Sequence, residues 1–289
     1  MEYNWKKSGR KEEVLIREKN GVPFFTFPAL DQTGLTVNAF STRLGGASKG
    51  PWSTMNLSFT RGDEKEAVME NYSRMAAALG VNKEDMVLAY QTHTTNVRSV
   101  SLEDRGKGVV RERDYRDVDG LVTDVPKVVL VTFFADCVPL YFLDPVHRAI
   151  GLSHSGWRGT VNRMGQATVE RMGELYGTKA QDLIACIGPS ICQECYEVGE
   201  EVAEEFQKTF GPQRENELLY PNGKPGKYQL DLWRANEIVL LEAGIRQENI
   251  HTAGICTCCN PELLYSHRKM GEKRGNLCAF LSLKLQKEQ

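Results

Sequence analysis

The chain predicts a single α/β domain, and three observations carry that reading. Strand-length apolar runs bounded by Gly, Pro or charged residues recur along the 289 residues. Helical periodicity interrupts those runs. No low-complexity tract, repeat or Pro/Ser-rich linker divides the sequence, so residues 1 to 289 read as one domain with a peripheral segment over residues 1 to 20.

The strand-like runs are Thr36 to Thr42, Met86 to Tyr90, Val128 to Phe134, Leu140 to Leu143, Ala149 to His154, Leu183 to Ile187 and Leu277 to Leu283. Asp144-Pro145-Val146-His147 is a turn signal that predicts a hairpin between the apolar stretches on either side. Val68, Tyr72, Met75 and Leu79 fall at helical steps after Asp63 and Glu66, which are placed like a capping box. Val161, Met164, Thr168, Met172 and Leu175 mark a second helix starting just after Gly159. The stretches Val198 to Phe210 and Leu232 to Leu241 suggest two more, and Gly223-Lys224-Pro225-Gly226-Lys227 marks an exposed loop.

Composition removes several function classes. Apolar residues make up 41% and charged residues 26%, the balance of a soluble globular protein. A formal net charge of -2 gives no basic footprint, so nucleic acid is not an expected partner. The N-terminus lacks the apolar core of a secretory signal and no run approaches the roughly 18 residues that span a bilayer, so no membrane partner is expected and the location is read as cytoplasmic. Eight cysteines are too sparse for a disulfide scaffold. Cys192-Gln193-Glu194-Cys195 and Cys256-Thr257-Cys258-Cys259 resemble the two halves of a four-cysteine zinc site, but their separation is about three times the usual ribbon spacing of roughly 15–20 residues, which argues against it.

Chemistry concentrates in three short segments: Gln91-Thr92-His93, Ala135-Asp136-Cys137 and His154-Ser155-Gly156-Trp157-Arg158-Gly159. Two imidazoles and a thiolate are ligand types that zinc prefers, and three protein ligands leave a fourth position for water or substrate. Cys137 interrupts an apolar run just before Pro139, where an opening in a sheet is expected. His154 ends a strand, and the glycine-containing loop after it leads into a helix. Free amides around Gly159 and the Arg158 side chain there make an anion site. Ser41-Thr42-Arg43-Leu44-Gly45-Gly46 repeats the strand-to-glycine-loop theme and offers Arg43 for an anion. Asp136 either partners a ligating histidine or braces its turn. Cys137 acting as a nucleophile with His93 or His154 as base requires the same convergence without metal. His147 reads as a surface turn residue, His251 has no special neighbour, and His267 ranks below the three main candidates. No G-x-S-x-G, G-x-G-x-x-G or G-x-x-x-x-G-K-[ST] motif is present.

These three segments, with Ser41 to Gly46, Asp119-Gly120-Leu121-Val122-Thr123, Ile187-Gly188-Pro189, Cys195-Tyr196-Glu197-Val198 and Tyr265-Ser266-His267-Arg268, resemble in consistent order the laccase-domain family, also called the polyphenol oxidase or purine nucleoside phosphorylase family. The resemblance spans roughly residues 36 to 283. It implies a single α/β domain with mixed β-sheets flanked by helices, similar in fold to the catalytic domain of cytotoxic necrotizing factor, and a metal held by His93, Cys137 and His154. It further implies zinc-dependent phosphorolysis of adenosine, inosine and methylthioadenosine with inorganic phosphate, plus adenosine deaminase activity. Phosphate then falls to Arg158, Gly159 and Arg43.

An older family label implies a copper-dependent laccase, and a zinc-stabilised binding protein without turnover is the alternative from another class. Five histidines are few for several coppers. The C-terminal stretch departs from the family's arginine-rich pattern, with Lys269, Met270 and then Gly275-Asn276. Cys195, Cys256 and Cys259 sit where such proteins often carry cysteine without a second structural zinc.

Overall fold

The computed structural model describes residues 3 to 285. Two six-stranded mixed sheets stack face to face. In spatial order the first holds Leu15–Lys19, Val22–Thr26, Thr36–Ser41, Leu277–Leu283, Val129–Phe134 and Met86–Leu88, antiparallel except at the last pair. The second holds Ile250–Thr252, Ile184–Ile187, Val138–Asp144, Ala149–Ser155, Gly120–Thr123 and Val97–Ser99, with parallel pairs at both edges.

Side-chain alternation explains the layers. Leu130 and Leu281 point inward to share a core with Tyr141, Leu143, Ile150 and Leu152 of the second sheet. Their neighbours Val129, Val131 and Phe280 point outward onto Val68, Tyr72 and Met75 of the helix Lys65–Leu79. On the far side Leu140, Phe142 and Ala149 meet the helices Met164–Tyr176, Glu200–Phe210 and Leu232–Glu242. Strands covered on both faces need apolar residues at every position, which is why they read as continuous runs rather than alternating ones. The molecule is thus a helix, sheet, sheet, helix stack. A small sheet of Glu197–Gly199, Lys227–Leu230 and Leu219–Pro221 stands apart, and the predicted Gly223 loop joins two of its strands.

The hairpin at Asp144 to His147 forms with Val138 opposite Ser155. The apolar run before it is not one strand. Val129–Phe134 belongs to the first sheet and Val138–Asp144 to the second, and Ala135, Asp136 and Cys137 carry the chain between them. What reads in sequence as a sheet opening is a switch between sheets.

Two helix details also differ from expectation. No side-chain cap forms at the start of Lys65–Leu79, because Asp63 is engaged by Asn56 and by the Glu64 amide. The helix expected after Gly159 is divided into Trp157–Val161 and Met164–Tyr176, with Arg163 at φ +61° between them. The N-terminal segment lies along the outside. It is fastened there by the Lys6 amide donating to Asn260 Oδ1 at 2.6 Å and by an Arg10–Asp231 ion pair.

Candidate metal centre

Gln91 sets the first ligand in place by imitating a strand residue. Its Nε2 donates to the Phe133 carbonyl at 2.9 Å and the Phe133 amide donates to its Oε1 at 2.7 Å, so the segment is clamped to the end of Val129–Phe134. The chain then turns sharply, with His93 at φ +66°, a conformation that costs a non-glycine residue energy unless its surroundings hold it. Asp119 does the holding. Its fully buried carboxylate accepts from the amides of Thr92, His93 and Thr94 at 2.9, 3.1 and 3.1 Å.

The same carboxylate reaches the other histidine. His154 is buried near the end of Ala149–Ser155, and its Nδ1 lies 2.8 Å from Asp119 Oδ1. Its amide donates to the Asp119 carbonyl, also at 2.8 Å. Engaging Nδ1 leaves Nε2 for a ligand, the usual arrangement at metal-binding histidines. The His93 and His154 rings stand 5.0 Å apart, nearly perpendicular.

Cys137 arrives from the sheet switch. Asp136 takes φ +88°, and its carboxylate accepts from the Thr257 hydroxyl and the Arg268 amide, both at 2.6 Å. Gly156 provides room, because a Cβ there would lie 3.0 Å from Cys137 Sγ and 3.2 Å from His93 Cδ2. The ligand atoms of His93, Cys137 and His154 all lie within 4.8 Å of one another, so the three can hold one metal ion.

Electrostatics favour the thiolate. Burial pushes the Cys137 thiol up, but His154 and His93 beside it outweigh this and hold it down to about 6. Burial pushes His154 down, and Cys137 with Asp119 lifts it to about 9. A deprotonated sulfur facing imidazoles is the state a metal ion requires, since the ion replaces the imidazolium proton as countercharge.

The three ligands open on a cavity of about 650 Å3. Phe59, Tyr90 and Phe133 form aromatic wall, while Arg61, Arg113, His267 and Arg274 bring positive or polar groups, and Glu272, 3.0 Å from Arg61, adds one carboxylate. Arg274 is 5% exposed; its Nη1 donates to the Gly275 carbonyl at 3.0 Å and to Asn276 Oδ1, while its Nε has no partner among the described residues. Burial and neighbouring Arg61 pull its guanidinium down to about 10, which is still charged at neutral pH. A second cavity of about 660 Å3 shares Phe59, Tyr90 and Arg113 with the first.

Not every expected residue reaches this cavity. Asp136 touches neither histidine and braces its turn, while Asp119 is their partner. Arg43 spends its guanidinium on carbonyls, with Nε and Nη2 on Ser53 at 3.0 and 2.8 Å and Nη1 on Pro261 at 2.7 Å. Arg158 lies exposed on the Trp157 ring, 4.3 Å from its centroid, and Gly159 is buried within the five-residue helix; neither lines the cavity. His147 bonds Asp144 and His251 bonds Glu13, both away from the centre, whereas His267 lies on the cavity wall.

Asp119 was visible in the Asp119-Gly120-Leu121 segment but not its role. Arg274 had only an Arg-Gly pair in a divergent tail to signal it. Contrary to the spacing argument, Cys192, Cys195, Cys256 and Cys259 do converge, with sulfurs within 4.8 Å of one another.

Fold and site together define an α/β protein with a two-histidine, one-cysteine centre in a basic, aromatic-walled cavity. Residues 37 to 284 match the family model described as multi-copper polyphenol oxidoreductase laccase, and the chain belongs to that family. It is 34% identical over 252 residues to purine nucleoside phosphorylase YlmD of Bacillus subtilis, covering 86% of this chain and 88% of that one. It is 36% identical over 241 residues to adenosine deaminase RL5 of an unknown prokaryotic organism, covering 83% and 91%. The crystal structure of YlmD from Geobacillus stearothermophilus superposes with a TM-score of 0.86 at 32% identity, covering 95% of this chain and all of that one.

Proposed function

We propose that the protein is a zinc-dependent purine nucleoside phosphorylase acting on adenosine, inosine and methylthioadenosine, with adenosine deaminase activity at the same centre. The observation that carries this reading is the opening of His93, Cys137 and His154 onto a cavity that also holds aromatic faces and the buried Arg274. Relatives named phosphorylase and deaminase support the two activities.

One thiolate and two imidazoles fit a catalytic zinc with an open position. Such an ion supplies Lewis acidity to a substrate oxygen and activates water for attack at C6 of adenine.

The chain's own residues do the rest. Phe59, Tyr90 and Phe133 offer apolar faces for a purine. Arg274 and Arg61 replace Arg43 and Arg158 as the phosphate-holding groups in this reading, because both residues line the cavity and Arg274 Nε has no partner among the described residues, while Arg61 is paired with Glu272 on the same wall. In phosphorolysis a phosphate oxygen bonds to C1′ of the ribose as the C1′–N9 bond breaks and the electron pair leaves with the base. Arginines that neutralise and aim the phosphate act by positioning and charge. Asp119 keeps His154 in one tautomer throughout.

Asp119, His154 and Cys137 also stand in the order of an orienting acid, a base and a thiol nucleophile. His93 as a second imidazole at the sulfur favours the metal reading. A multi-copper oxidase would need more histidines near the centre than His93, His154 and His267.

Incubation with inosine, with and without phosphate, followed by chromatography, tests the proposal. Hypoxanthine release that requires phosphate and a near-stoichiometric zinc supports it. Release without phosphate, or copper-dependent oxidation of phenols in its place, overturns it.

A further inference from the structure

The four cysteines outside the catalytic cavity form a site of their own. Cys192 and Cys256 are buried and Cys195 and Cys259 half-buried. The two pairs are 64 residues apart in sequence, yet the bridge between Ser190 and Cys256 places their loops side by side. The amides of Cys192 and Cys259 both donate to Cys256 Sγ, at 3.2 and 3.4 Å, and Cys195 Sγ lies 3.4 Å from Cys259 Sγ. Amides aimed at a sulfur stabilise its anionic form, and such outer hydrogen bonds orient thiolates that ligate a metal.

We propose that Cys192, Cys195, Cys256 and Cys259 bind a structural zinc ion, against the expectation from the family resemblance, because Cys192 completes a set of four converging sulfurs. Four thiolates at roughly 2.3 Å from one ion stand about 3.8 Å apart at the corners of a tetrahedron, compatible with sulfurs that all lie within 4.8 Å. A cluster with each cysteine on a separate iron would spread them farther. All four positions are filled by protein, so the site braces rather than reacts.

What it braces is the catalytic loop. Thr257, between two of the cysteines, donates to Asp136, and the Ile191 amide beside Cys192 donates to the Asp136 carbonyl at 3.0 Å. Asp136 precedes Cys137. The ion therefore joins two distant loops at the point where they grip the sheet switch. Residues 197 to 254, which hold the small sheet and three α-helices, form the loop it closes, so the ribbon spacing does not apply.

Metal analysis of the reduced full-length protein tests this independently of the catalytic proposal. Wild type should carry about two zinc ions per chain, and a His93→Ala/His154→Ala variant about one, with its cysteine sulfurs slow to alkylate. Cys195→Ser/Cys259→Ser should lose that second zinc and melt at lower temperature. Should this variant fail to fold, cobalt-loaded His93→Ala/His154→Ala should show the sulfur-to-metal charge-transfer spectrum of a four-thiolate tetrahedral ion. A His93→Ala/His154→Ala protein without zinc, iron in place of zinc, or a Cys195–Cys259 disulfide in freshly purified protein would overturn the proposal.

Discussion

The carboxylate of Asp119 binds the His154 ring at 2.8 Å and the amide of His93 at 3.1 Å, so one buried side chain positions both imidazoles of the centre. Replacing Asp119 with Ala should free the His154 ring and release the turn at His93. Loss of such a supporting carboxylate typically costs roughly 10–100-fold in metal affinity. Competition with a chromophoric chelator measures it, and unchanged affinity would remove Asp119 from the account.

Gly156 and Gly159 look alike in sequence but not in space. A methyl at Gly156 would press on Cys137 Sγ at 3.0 Å, whereas one at Gly159 meets its nearest atom at 3.5 Å, an ordinary contact. Gly156→Ala should therefore lower metal content and activity while the protein stays folded, and Gly159→Ala should leave both near wild type. Circular dichroism alongside metal analysis separates folding from site effects.

Arg274 and Arg158 give a second contrast. Arg274→Gln removes a charged donor from the cavity wall, a loss worth about 1.5–3 kcal/mol. The phosphate KM should rise roughly 10- to 100-fold with little change for the nucleoside. Arg158→Gln, altering an exposed side chain, should leave both constants nearly unchanged. Equal effects from the two variants would contradict the assignment of phosphate to Arg274.

Acid stability should depend on Asp104. Burial pushes its carboxyl up, but hydrogen bonds from Lys107, the Ser101 amide and Arg98 outweigh this and hold it below the ordinary value of 3.8. A carboxyl whose folded pKa is lowered stabilises the fold above its unfolded pKa, and that contribution fades as pH falls through the folded one. Asp104→Asn should cost roughly 1–3 kcal/mol at neutral pH and less below pH 3.8, measured by urea unfolding at several pH values.

The α/β class was legible because its strands are buried on both faces and its long helices carry clear periodicity, whereas the stacking of two sheets leaves no local pattern. Leu277 to Leu283 reads in sequence with the limits it has in space. Short strands such as Val97–Ser99 at a sheet edge and Lys227–Leu230 in the middle of the small sheet left no such signal, since they bury little. The switch of sheets at Ala135 to Cys137 was hidden for another reason: an apolar run does not say which sheet it joins.

His93, Cys137 and His154 stood out by residue type. Asp119 did not, because an aspartate that satisfies backbone amides looks in sequence like any turn residue. Arg43 and Arg158 promised an anion site from local pattern alone, and only long-range contacts show Arg43 held by Ser53 and Pro261. Arg274 reaches the cavity from a tail whose pattern gave no such promise.

Product analysis separates phosphorolysis at the metal centre from hydrolysis. Zinc-loaded protein given inosine and inorganic phosphate should yield hypoxanthine and ribose 1-phosphate in equal amounts, and Cys137→Ala should yield neither. Free ribose in place of ribose 1-phosphate, or full turnover by Cys137→Ala, would contradict phosphorolysis at this centre.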